Sequence, residues 1–127
     1  MLPVKGAKMV AGKKKVSEEL ASDRASALTG LVDMAEGAIV SRVLATSEGG
    51  TVTLFAFDRG QGLSEHSAPF DALVQVVNGS LELKIGGVDV LVSGGEIVRM
   101  PANVPHSLHA PEPTRMLLTM LRGKAEE

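Results

Sequence analysis

An antiparallel all-β domain, built as a sandwich, jelly roll or barrel, is predicted by three features of this chain of 127 residues. From about Ala38 to Leu121 the sequence reads as short runs of β-branched or apolar residues. Turn residues, mostly paired glycines, punctuate those runs at near-regular spacing. No helical pattern intervenes between them, which separates this class from folds that alternate strand and helix.

The elements follow in order. The first fifteen residues carry Lys5, Lys8, Lys13, Lys14 and Lys15 and no acid. Such an arm could touch nucleic acid or an anionic lipid surface, but a solvated tail has the same composition, and a tail is the expectation. From Val16 to about Leu28 the sequence VSEELASDRASAL is rich in helix formers, and Leu20, Ala21, Arg24 and Leu28 recur at helical spacing, which predicts one modest helix. Strands are then expected over 38–45, 51–58, 71–77, 81–85, 88–92, 96–100, 106–110 and 115–121. Asn78-Gly79 between two of them is the strongest hairpin signal, because both central residues of a type I′ turn need positive φ. The expected organisation is a tail and short helix over 1–30, the barrel over 31–123, and a short tail over 124–127.

Composition excludes several functions. With no cysteine there is no disulfide, Cys-ligated zinc, iron–sulfur cluster or thiol nucleophile. Aromatic residues make up 2% of the chain, too few for the stacking platforms of RNA- or single-strand-binding proteins, so no nucleic-acid partner is expected. No apolar run nears the ~20 residues that span a bilayer, and no apolar stretch follows the basic arm as a secretory signal would require. The expectation is a cytoplasmic protein with no membrane partner. Gly60-Gln61-Gly62 lacks the third glycine and the strand-to-helix setting of a dinucleotide site, and no Walker loop is present. Ser64, Ser67 and Ser107 lie near histidines without a nucleophile elbow. The methionines, Met100, Met116 and Met120 among them, read as core filling.

What remains is a set of three histidines, His66, His106 and His109. Five residues separate Gly60 from His66, one separates His66 from Ala68, three separate Ala68 from Ala72, and six separate Ala72 from Gly79. Further on, Gly95 is followed at matching intervals by Pro101, Asn103 and His106. This resembles the two-part signature of the cupin superfamily, G-x5-H-x-H-x3-4-E-x6-G followed by G-x5-P-x-G-x2-H-x3-N. The resemblance covers about residues 38–121, and the texture of SEHSAPFDALVQVVNG and MPANVPHSLHA is similar to that of small single-domain bacterial cupins. It implies a jelly-roll (double-stranded β-helix) barrel.

The resemblance keeps the frame and loses part of the site. Gly60, Gly79, Gly95 and Pro101 match the turn positions, and Asn103 stands where the motif has glycine, asparagine being the side chain most tolerant of left-handed backbone. Of the four metal-ligand positions, His66 and His106 match, whereas Ala68 and Ala72 replace a histidine and a glutamate, and Ala110 replaces the closing asparagine. The family's cofactor would be a divalent transition metal such as Zn, Fe, Mn or Ni. Catalytic zinc typically takes three protein ligands, and the iron facial triad takes two histidines and a carboxylate. By strand alternation Glu65 and Asp71 point out of the barrel unless a bulge re-aims them, and His109 sits on its exterior. A metal held here would need a third group, such as Glu65, Asp71 or Gln75, turned inward.

Two functions are therefore carried forward. One is a binding module whose cavity, lined by Ala68, Phe70, Ala72, Val74 and Leu108, holds a small, partly apolar molecule with an oxygen acceptor or acid group beside His66 and His106. The other is a metal-dependent enzyme of the kind the resemblance implies: a dioxygenase, isomerase, epimerase or lyase. The missing ligands favour the first. A homodimer is also expected, since small cupins commonly pair and RMLLTML offers more apolar strand than one barrel covers. Light scattering at micromolar concentration checks it, a dimer mass being the expected result.

Overall fold

The computed structural model describes residues 19–123. Nine strands run through them: β1 (Ile39–Ser47), β2 (Gly50–Phe57), β3 (Gly62–His66), β4 (Asp71–Asn78), β5 (Ser80–Ile85), β6 (Val88–Ser93), β7 (Ile97–Met100), β8 (His106–His109) and β9 (Thr114–Leu121). One sheet has the order β1-β2-β9-β4-β7 and the other β3-β8-β5-β6, with every pairing antiparallel. The all-β jelly-roll barrel expected from the sequence is what forms. The basic arm and the last four residues lie outside the described residues.

Strand alternation divides the apolar residues between two cores. Phe57, Val74, Val76, Leu81, Leu83 and Met116 fill the space between the sheets, with Phe55 stacked beside Phe57 at 5.8 Å. The intervening residues of β1 and β2, Val40, Leu44, Leu54 and Ala56, face the other way and gather Val32, Leu28, Leu31 and Met34 onto the back of the five-stranded sheet. The segment before β1 is thus a cover for that sheet, held also by Arg115 Nε donating to Val32 O at 3.1 Å.

The described part of that segment does not form the helix expected over 16–28. Within its described part, residues 19–27 are irregular, and a single 3-10 turn occupies Leu28–Gly30. Ser22, Asp23 and Ser26 offer the backbone local alternatives to helix, and an isolated run of this length is marginal without a broad buried stripe. Leu20 shows why the stripe fails: its side chain is exposed, and its N–H bonds to Leu44 O at 2.9 Å on edge strand β1.

Asp58 closes the end of β2. Its Oδ2 accepts the Gly37 N–H at 2.7 Å, and this bond, followed by one from the Arg59 backbone, holds the carboxyl below its usual range. A lowered pKa means a contribution to stability that is present above the ordinary carboxylate range and lost as pH falls through it. Asp58→Asn should therefore show a shallower loss of melting temperature than the parent as pH drops below about 4. Superimposable melting curves would dismiss the contribution.

Candidate functional site

The loops at one end of the barrel place the two motif histidines together. The segment between β7 and β8 is pinned at several points: Asn103 N–H bonds to Ala68 O at 2.7 Å, Ala102 N–H to Asp71 Oδ1 at 2.8 Å, and Gly86 N–H to Pro105 O at 2.8 Å. Asn103 makes the bend possible with φ 65°, the left-handed conformation anticipated for it. His106 then enters β8 only 7% exposed, while His66, opposite it at the end of β3, is exposed.

Strand β3 was absent from the sequence-based expectations, because GLSEH has a single apolar residue. It carries a bulge: Leu63 pairs with Leu108 and His66 with His106, so Ser64 and Glu65 together face Ser107. The extra residue keeps His66 on the face of Leu63 although their separation is odd. It also supplies Ser64 O, which accepts from His66 Nδ1 at 2.8 Å. His106 Nδ1 is held in the same manner by Val104 O at 3.1 Å. The two Nε2 atoms stand 3.2 Å apart, with ring centroids at 4.4 Å and planes crossing at 70°.

The other anticipated site residues divide. Ala72, Val74 and Leu108 belong to the core between the sheets, as alternation requires. Ala68 is half-buried and is held by its carbonyl oxygen. Phe70, also half-buried, lies beneath the Arg122 guanidinium at 5.9 Å. Sequence reasoning assigned Met100 and Met120 to the core without seeing that they flank Ala72 in one cross-strand row, or that Ile85 stands across from His106. Only the register reveals these neighbours. His109 is on the exterior as expected, 3.0 Å from Glu82. A separate open groove of about 380 Å³ between the β1–β2 hairpin and β9 is lined by small, hydroxyl and apolar residues with no ionisable group.

The residues present do not complete a metal centre. Asp71 is committed to the Ala102 N–H and to Arg99 at 3.6 Å, and Glu65 and Gln75 are exposed. Among the described residues no group of three or more His, Cys, Asp or Glu side chains could hold an ion. Two imidazoles fall short of the three protein ligands that catalytic zinc sites use.

Comparison with known proteins places this geometry in context. A family model described as the cupin domain matches residues 53–121. Among solved structures, a conserved protein of unknown function from Streptococcus pyogenes is 30% identical, with 91% of this chain and 100% of that one covered and a TM-score of 0.80. A cupin 2 conserved barrel domain protein from Leptotrichia buccalis is 35% identical over 72% of this chain and 45% of its own length, with a TM-score of 0.70. A cupin superfamily protein from Desulfitobacterium hafniense, at 22% identity, shares the fold with a TM-score of 0.78 over 87% of this chain and all of that one. No curated protein matches the chain. Among the described residues no helix is long and apolar enough to cross a membrane.

Proposed function

We propose, from the premise that this chain belongs to the cupin domain family, that its barrel binds a small molecule beside His66 and His106 at the end bounded by the β3–β4 and β7–β8 loops. One observation carries the reading. Two imidazoles converge within 3.2 Å, one buried and one exposed, in a barrel whose interior is apolar and includes Ala72, Val74 and Leu108. Apolar surroundings supply affinity and a few convergent polar atoms supply orientation, which is how small-molecule sites are generally made.

The arrangement is also preorganised. His66 and His106 are both fixed through Nδ1 by main-chain carbonyls, so little side-chain freedom is left to lose when a ligand arrives. In the family the positions of Ala68 and Ala72 carry ligand side chains. Here both are alanine, which has no ligating atom and a smaller side chain.

Mass spectrometry of the purified protein before and after denaturation tests the reading. The parent should release a small organic molecule that the His66→Ala/His106→Ala double variant lacks. The double variant should melt within a few degrees of the parent, because His66 is exposed and His106 contributes one hydrogen bond of about 1 kcal/mol. Equal ligand content in both proteins, or none in the parent, would refute it.

A further inference from the structure

The hydrogen bonds made by the two rings define what the bound molecule must bring. A carbonyl oxygen has no hydrogen to give, so each contact from Nδ1, to Ser64 O at 2.8 Å and to Val104 O at 3.1 Å, is attractive only when Nδ1 carries the hydrogen. A neutral imidazole has a single N–H. In both neutral rings, therefore, Nε2 is a bare acceptor. Those two acceptors face one another at 3.2 Å, a separation at which one of them ought to be donating.

Among the described residues no other side chain relieves that opposition. Among the described residues neither ring has a carboxylate partner, since Asp71 is taken up by Ala102 and Arg99, and Glu82 pairs with the exterior His109. Nor can the rings turn to expose their other nitrogen without breaking both carbonyl bonds. The bulge at Ser64 and the pinned β7–β8 loop hold the acceptors in place.

We infer that the site selects a ligand that supplies the missing hydrogen: an O–H donor that keeps its hydrogen where the imidazoles are neutral, such as a phenol, enol or alcohol, in preference to its ether. The inference rests on the reading of this end of the barrel as a ligand site, and it narrows the class of molecule. The O–H hydrogen sits between the ligand oxygen and the two Nε2 atoms. If it passes to a nitrogen, the product is a shared imidazolium beside the ligand's oxyanion, with no other atom required. A ligand offering only a carbonyl or ether oxygen would place a third acceptor against the two already there. Because His106 is buried, a third acceptor would leave its Nε2 without a donor, which makes the mismatch costly.

Two measurements test this. In protein labelled with nitrogen-15 at histidine and held above the usual histidine range, long-range proton–nitrogen NMR should show Nδ1 protonated and Nε2 bare in both rings. A protonated Nε2 in either neutral ring overturns the inference. Next, under the same conditions, phenol is compared with anisole and benzyl alcohol with benzyl methyl ether, following the Nε2 resonances. Each O–H probe should bind at least about tenfold more tightly than its methylated partner, the worth of one hydrogen bond. His66→Ala should abolish the preference. Equal binding of the methylated partners, lost in His66→Ala, overturns the donor requirement while leaving the ligand site standing. Absence of histidine-dependent binding by all four probes overturns the inference, and the mass-spectrometric comparison decides separately whether the site binds anything.

Discussion

Gly79→Val is expected to destabilise the protein by about 3 kcal/mol or more, enough to lower its melting temperature by roughly 10 °C. Two independent penalties combine at this residue. Its φ of +91° is one that branched side chains resist, and a Cβ there would meet the backbone of the strand opposite, with Pro113 O at 2.5 Å and Thr114 Cα at 2.8 Å. The same side chain would press on Thr114 Oγ1, which accepts the Ser80 N–H at 3.0 Å and faces Ser80 O and Glu112 O at 2.8 Å. Thermal unfolding followed by circular dichroism checks the result. A variant melting within a couple of degrees of the parent would show that the β4–β5 turn can move away from β9.

Phe57→Ala should cost a similar amount, about 3–5 kcal/mol, through a different mechanism. Phe57 is wholly buried between the sheets, where it packs with Phe55 and lies opposite Ile39 and Thr114 on the neighbouring strands. The chain has only three phenylalanines and no larger ring to fill the void. Urea unfolding should show a lower midpoint with an unchanged slope, since the loss is one of packing and not of exposed surface. Phe57→Leu should recover part of the loss. Equal stability of the two variants would rule out cavity formation as the cause.

The strands with a clear apolar pattern were legible because the sheets bury one face or both. TVTLFAFD alternates between two cores, and DALVQVV sends Ala72, Val74 and Val76 to one of them. The turns at Gly60, Gly79 and Gly95 were legible for a related reason, since all three adopt positive φ, as does Asn103 in its glycine-like place. Strand β3 was not legible, because its pairing with β8 rests on backbone bonds and its side chains are mostly exposed. The N-terminal segment misled in the opposite sense. Its residues favour helix locally, yet tertiary contact with β1 and the back of the sheet determines its path.

For the site, spacing identified His66 and His106 but carried no information about their nitrogens. The orientation of each ring depends on a main-chain carbonyl two residues earlier, Ser64 O and Val104 O, and peptide oxygens leave no trace in a pattern of residue types. Asp71 illustrates a second limit. It reads as a spare carboxylate beside a ligand motif, whereas its work is to fasten Ala102 and so hold the loop that delivers His106.

The bulge in β3 makes the chemistry of this end of the barrel a matter of counting. With Leu63 kept opposite Leu108, a ladder lacking the bulge would bring Glu65 opposite His106 and send His66 to the outside. One sequence thus encodes two alternative pairs, imidazole with imidazole or carboxylate with imidazole, and a shift of one residue exchanges them. Deleting Ser64 would have the contrary outcome, since the shortened strand would present the histidine opposite His106 in a regular ladder, without the carbonyl that now orients its ring. The register of β3, as well as the residue types it carries, therefore decides which side chain His106 meets.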